Sequence, residues 1–126
     1  MIALVLDAGA LIAADRGDQV VHDKIRKALR AGTPVRTNPN VVAQVWRNGA
    51  KQSRLARLLR DVKIEPVTPE DGYRAGELLG ATRTKDVVDA TVALLAKAAD
   101  KLYTSDPGDL RRLCEATGFK SVVIAC

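Results

Sequence analysis

Four aspartates occupy positions that an alternation of strands and helices would bring to one edge of a sheet. Asp7 directly follows an apolar run, and Asp106 follows the stretch that ends at Thr104. Asp86 and Asp89 are three residues apart at the start of a helical pattern, so their side chains share a face. Because functional groups collect at the carboxyl ends of strands in open α/β sheets, we expect all four acids to converge there.

A negatively charged cluster of oxygen ligands is what hard divalent ions such as Mg²⁺ prefer. Like charges gathered at one edge repel one another, and a bound cation neutralises them. The chemistry that follows is metal-assisted phosphodiester hydrolysis, which needs no nucleophilic side chain. Each aspartate taken alone is better explained as a helix N-cap, and Asp86 with Asp89 resembles a capping box, so only the combination indicates a site.

The elements that must position these acids alternate regularly along the chain. Strands are predicted at residues 2–6, 34–37, 63–66, 101–104 and 121–125. Helices are predicted at residues 7–14, 19–31, 38–46, 53–61, 68–82, 86–99 and 107–117. This alternation predicts an α/β fold with an open parallel sheet between helices, in a single domain spanning residues 1–126.

Composition and charge limit the make-up of the core, the kind of partner and the compartment that we expect. The 126 residues are 47% hydrophobic and only 3% aromatic, so the core must be built from Ala, Val, Leu and Ile. The net charge of +5 favours a polyanionic partner, although a merely soluble basic protein has the same balance. Two distant cysteines without a secretory start suggest a reducing cytoplasm, and no apolar run approaches the roughly 20 residues that span a membrane.

Four short segments, in order, resemble the PIN domain, particularly the VapC-type toxins of toxin–antitoxin pairs. They are VLDAGALIA from Val5, VVAQV from Val41, VDATVA from Val88 and TSDPGDL from Thr104. Together they extend over essentially the whole chain. The resemblance implies a three-layer PIN-like fold and an endoribonuclease that depends on Mg²⁺ or Mn²⁺.

The resemblance also assigns roles by position. Asp7, Asp89 and Asp106 match the family's acidic metal-site residues. Asp86 and Asp109 are adjacent acids that help, and Thr104 matches the hydroxyl that supports the first aspartate. Gln44 stands where most relatives place a glutamate, so it contributes no charge, and we hypothesise that Asp86 restores the missing charge.

Basic residues follow the segment that contains Gln44 and form a predicted RNA-binding stripe. They are Arg47, Lys51, Arg54, Arg57 and Arg60. The alternative is a solvated outer face of an amphipathic helix. Trp46 is expected to pack against a neighbour rather than to stack on a base. His22 is the only histidine, which excludes ribonuclease chemistry of the two-histidine kind, and we expect it to be solvated.

The resemblance further implies an RNA substrate, a homodimer, and an antitoxin whose tail fills the site, for example by placing an arginine among the aspartates. Two other readings stay open. One is a PIN-like module that binds RNA or a protein without cutting, and the other is a structure-specific DNA nuclease. A receiver or phosphotransfer domain is disfavoured because Asp7-Ala8-Gly9 lacks a second acid beside the first.

Overall fold

Within the part of the chain that the structure describes, five parallel strands form an open sheet in the order β3-β2-β1-β4-β5. The computed structural model describes residues 2–126. The strands are β1 Leu4–Leu6, β2 Val35–Thr37, β3 Lys63–Ile64, β4 Lys101–Thr104 and β5 Val122–Ala125. All three residues of β1 are buried, as expected of a central strand with helices on both faces.

Seven α-helices within residues 2–126 cover the sheet and confirm the predicted three-layer α/β architecture. They are α1 Ala8–Asp15, α2 Gln19–Arg30, α3 Pro39–Val45, α4 Ser53–Asp61, α5 Pro69–Thr82, α6 Val87–Leu95 and α7 Pro107–Thr117. Helix α1 packs against α2, α3 and α4, whereas α5, α6 and α7 pack against one another. Helix α3 contacts both α1 and α6 and so links the two groups.

The order of the strands creates a switch point beside β1. The chain proceeds outward from β1 through β2 to β3, then returns to place β4 on the other side of β1. Strands β1 and β4 pair directly, with Leu6 opposite Tyr103. In such a sheet the two flanking connections diverge, which leaves a crevice at the carboxyl ends of the two strands.

The core is aliphatic, as the composition predicts. Tyr103 is the only aromatic side chain among the buried residues of the described chain. Trp46 is 37% exposed, and it lies outside α3 rather than inside the predicted helix, because its backbone is extended. Its ring instead packs against Gly49, where an added Cβ would lie 2.7 Å from the ring. No helix within residues 2–126 has the length and apolarity needed to span a membrane.

The predicted helix at residues 86–99 is too long, because α6 ends at Leu95. The buried Asp100 carboxylate explains the early end. It accepts hydrogen bonds from the backbone N–H of Lys97, at 2.9 Å, and from that of Ala3, at 2.8 Å. Ala99 adopts a left-handed conformation with φ of 65° within this turn. Asp100 therefore ties the loop before β4 to the start of β1.

We expect Asp100→Ala to lower the free energy of unfolding by roughly 2–4 kcal/mol, because two N–H groups lose their acceptor. Asp100→Asn keeps one acceptor oxygen and should lose less. Urea unfolding of both variants, with Asp23→Ala as an exposed control, measures the effect. Equal midpoints for Asp100→Ala and the control would contradict this role.

Candidate active site at the carboxyl ends of β1 and β4

Asp7 lies at the switch point, immediately after the central strand, and is only 6% exposed. It occupies the N-cap position of α1, yet its side chain makes no capping hydrogen bond. Its Oδ2 instead accepts a 2.8 Å hydrogen bond from Oγ1 of Thr104. Its Oδ1 is buried and has no hydrogen-bond partner within residues 2–126. The capping explanation therefore fails for Asp7, and one carboxylate oxygen is left for a ligand.

Thr104 links the two strand ends. This fully buried residue donates to Asp7, and the same hydroxyl oxygen accepts a 3.0 Å hydrogen bond from the backbone N–H of Asp106. Asp106 is exposed at the N-cap position of α7 and, like Asp7, makes no capping hydrogen bond with its side chain. Gly9 allows α1 to approach this turn, because a Cβ there would lie 2.8 Å from the backbone nitrogen of Ser105.

The other pair of acids lies at the start of α6. Asp86 is the N-cap of this helix and accepts a 3.0 Å hydrogen bond from the backbone N–H of Asp89. Capping is therefore the correct description of one oxygen of Asp86. Asp89 follows in the first turn and is partly buried.

Helix α6 is fixed to the sheet by a buried contact that sequence reasoning missed. Asn38, which follows β2, caps α3 through Oδ1, and its Nδ2 donates to Thr91 Oγ1 at 3.1 Å. Thr91 is one helical turn from Val88, whose carbonyl its hydroxyl also contacts. Asn38 stands at the start of the helix predicted at residues 38–46, but no sequence feature pointed to Thr91 as its partner.

The acids influence one another electrostatically. Burial, followed by the negative charges of Asp86, Asp7, Asp106 and Asp109, raises the pKa of Asp89 from 3.8 to about 7. Burial also raises the pKa of Asp7, with smaller contributions from Asp86 and Asp106. The Thr104 hydroxyl and the nearby Ala8 N–H act in the opposite direction on Asp7. The negative charges of acids from three separate elements therefore repel one another. It is unfavourable for all of these acids to be ionised at the same time.

This geometry can be compared with known proteins. The sequence model of the PIN domain matches residues 4–115. The chain belongs to the PIN-domain family. A chain of the crystal structure of VapBC2 from Rickettsia felis bound to a DNA fragment from their promoter has a similar fold, with a TM-score of 0.72. The match covers 99% of each chain at 14% sequence identity, so it shows the fold alone. A comparison with curated proteins gives no match.

The acids of this PIN domain suit a divalent cation in chemistry, although they do not yet enclose one. The unpartnered Oδ1 of Asp7 and the mutual repulsion at Asp89 both favour a bound positive charge. As they stand, no three His, Cys, Asp or Glu side chains of residues 2–126 lie close enough to hold one ion. Asp106 and Asp109 are exposed, so rotation of their side chains is sterically open, whereas Asp86 is held by the hydrogen bond that caps α6.

The remaining predicted residues are distributed unevenly around the acids. Asp109 lies in the first turn of α7, near enough to affect Asp89. Gln44 lies in the last turn of α3 with an exposed side chain. The Arg47 guanidinium folds back to donate to the carbonyls of Ala43 and Trp46, so it is engaged at the end of α3. Lys51 is exposed in a short 3-10 turn.

Arg54 and Arg57 lie together on α4 and line a cavity with His22, which is half-buried rather than fully solvated. Arg47 and Lys51 do not line that cavity. The predicted stripe is therefore divided, and only its α4 part forms a concave basic surface.

The raised pKa of Asp89 predicts that the metal-free protein becomes less stable as the pH rises, which is the opposite of the usual trend for an aspartate. Because the pKa of Asp89 is higher in the folded protein than its ordinary value, the folded state binds this proton more tightly than the unfolded chain. The contribution of Asp89 to stability is therefore present below about pH 4 and is lost as pH rises towards 7. We expect the thermal midpoint in EDTA to fall over that range and Asp89→Asn to make the fall shallower.

Mg²⁺ or Mn²⁺ should raise the thermal midpoint more at pH 8 than at pH 5, because only the ionised acids attract the cation. Thermal unfolding at each pH, with and without metal, provides the measurement. Asp23→Asn removes an exposed acid on α2 and serves as the control. A metal effect that is equal at both pH values would contradict binding by these carboxylates.

Proposed function

We propose that this PIN domain is a metal-dependent endoribonuclease and the toxin of a type II toxin–antitoxin pair. The observation that supports the nuclease part best is the buried Asp7, with one oxygen bonded to Thr104 and the other unpartnered beside further acids. Burying a carboxylate oxygen without a partner is costly, so its persistence at a strand end favours a ligand that completes the site.

Asp7, Asp89 and Asp106 are the proposed ligands for Mg²⁺ or Mn²⁺. Asp86 and Asp109 add negative charge at the rim, and Thr104 holds Asp7 in one orientation. Gln44 is proposed to act through a hydrogen bond to water, with Asp86 supplying the charge that a glutamate would bring. A bound divalent cation supplies water activation and stabilises charge on the phosphate during hydrolysis.

The protein's own contribution is positioning and control of charge. Asp7 is rigid because its carboxylate is buried and bonded, whereas the exposed Asp106 can rotate towards a phosphate. The raised pKa of Asp89 in the metal-free protein, about 7, reflects burial and the charges of its acidic neighbours, which a bound cation would offset.

A PIN module that binds RNA or a protein without cutting is the second candidate. It is favoured by Gln44 and by the separation of the acids, which do not surround a common point. The two candidates share a ligand surface and differ in turnover, so a cleavage assay separates them.

The partners follow from the same proposal. The similar fold comes from a structure of VapBC2, which supports pairing with an antitoxin. An arginine from such a partner would satisfy Asp7 Oδ1 and offset the repulsion at Asp89, because guanidinium groups bind carboxylates in bidentate geometry. A homodimer completes the proposed assembly by analogy with VapC-type toxins.

We expect cleavage of a single-stranded RNA to require Mg²⁺ or Mn²⁺ and to fall about 100-fold or more in Asp7→Asn and Asp106→Asn. Both changes remove a charged ligand with little change in volume. Gel analysis of labelled RNA, with and without EDTA, measures the rate. Asp23→Asn is the matched control, since it removes the same charge from an exposed position on α2.

Cleavage that survives EDTA, or that persists in Asp7→Asn, would contradict the proposed mechanism. Metal-dependent RNA binding without cleavage by the wild-type protein would favour the second candidate.

Thr104→Val should weaken metal binding by roughly 10- to 100-fold, because it removes the hydroxyl that orients Asp7 while keeping the side-chain shape. Thr104→Ser retains the hydroxyl and should retain metal affinity, although the lost methyl group lowers stability by about 1 kcal/mol. Isothermal titration with Mn²⁺ measures affinity separately from stability. Equal affinity for the Val and Ser variants would show that the hydroxyl has no positioning role.

A further inference from the structure

A basic cavity of about 400 Å³ lies at the far end of α1 from the acids. Its wall comes from the turn after α1, from α2 and from α4. The lining residues are Gly17, Gln19, His22, Arg26, Arg54 and Arg57. None of these is acidic, so the cavity presents a concentration of positive charge to its contents.

Two of the three arginines are available to a ligand. Arg26 is paired with Asp61 at 2.8 Å, which neutralises it. Arg54 and Arg57 form no ion pair within residues 2–126. The guanidinium of Arg54 lies against Gly17, where a Cβ would be 3.3 Å from Arg54 Cζ. Gly17 has φ of +80°, so both its backbone and its missing side chain suit this contact.

A second cavity, of about 550 Å³, lies beside α1 and adjoins the basic cavity at Gly17. It follows the outer face of α1 past Gly9, Ile12 and Arg16 and reaches Gly17, which borders both cavities. Its opposite end is formed by Ser105, the residue before Asp106. The residues from 9 to 16 of a helix span about 10 Å.

The side chains of the second cavity suit a nucleotide chain. Ile12 is 36% exposed and offers an apolar contact to a base, while Gly9 leaves room for the backbone. The one acid on its wall is Asp18, whose carboxylate caps α2 by accepting from Val20 and Val21. Cys126 also borders the cavity, and burial followed by the charges of Asp7 and Asp18 raises the pKa of its thiol, which keeps it neutral.

We infer that the two cavities form one channel for a single RNA strand, in which Arg54 and Arg57 hold a backbone phosphate at a fixed distance from the acids. This inference rests on the proposed ribonuclease function and adds a second anchoring point to it. Two points of attachment, one at the acids and one beyond α1, define the path and direction of the strand. The acids alone would define neither the path nor the direction of the RNA strand.

RNA binding in EDTA tests the channel without cleavage. Fluorescence anisotropy with a labelled single-stranded octanucleotide compares the wild type with an Arg54→Gln, Arg57→Gln double variant. We expect about tenfold weaker binding, the loss of one charge-assisted contact. The slope of log affinity against log salt should fall by about 0.7, the release expected for one phosphate. The matched control is Arg30→Gln with Arg111→Gln, which removes the same charge from exposed positions that line neither cavity.

His22 provides an independent reading, because it is the only histidine in the chain and it lines the basic cavity. Its ring resonances should move when the RNA is added to the wild type and should stay in place in the Arg54→Gln, Arg57→Gln variant. An acidic peptide of polyglutamate provides the comparison for a protein ligand.

Equal losses of affinity in the two double variants would overturn the inference, since the effect would then be one of net charge. Movement of His22 by polyglutamate but not by RNA would overturn it in favour of a protein ligand. The proposed nuclease function fails differently, through cleavage that does not respond to Asp7→Asn. The channel inference is overturned if cleavage depends on Asp7 but RNA affinity does not depend on Arg54 and Arg57.

Discussion

The burial of one carboxylate at the end of the central strand constrains everything around it. Asp7 follows β1 at the point where the chain order of the sheet reverses, so α1 leaves on one side and the return to β4 lies on the other. Its desolvation is offset only in part, by the hydroxyl of Thr104 and the adjacent N–H of Ala8. The remaining cost favours a further positive or hydrogen-bonding group at this position.

Buried polar contacts hold the surroundings of Asp7 in place. The hydroxyl of Thr37 donates to the carbonyl of Leu6 at 2.9 Å, which fixes the end of β2 beside the end of β1. The Asn38 contact to Thr91 then fixes α6, and with it Asp89. On the other side, Thr104 fixes the turn that carries Asp106. The site thus combines a rigid, buried half with an exposed half whose carboxylates are free to adapt to a ligand.

The sequence predicted the parts of this arrangement that local chemistry determines. The apolar run before Asp7 indicated the central strand, and the predicted helix at residues 68–82 begins where Thr68 and Asp71 form both capping-box hydrogen bonds. The predicted end of α6 was wrong, because the position of this helix end depends on Asp100. The carboxylate of Asp100 accepts a hydrogen bond from the backbone N–H of Ala3, far away in the chain. The basic cavity also could not be predicted, because His22 and Arg54 meet only after α2 and α4 pack around α1. Contacts between residues that are distant in the sequence cannot be predicted from local hydrophobic spacing or from capping residues.

The structure distinguishes the aspartates that cap a helix from those that do not. Aspartates precede α1, α2, α6 and α7, and each is equally typical of an N-cap. Asp18 and Asp86 do accept hydrogen bonds from the first turn of their helices, so their charge is already used in part. Asp7 and Asp106 make no side-chain capping hydrogen bond, although Asp7 has the extended backbone that N-cap residues usually adopt. These two are the acids joined by Thr104. Helix stability is given up at both positions beside the switch point, which is expected where the carboxylates serve a ligand instead of the helix.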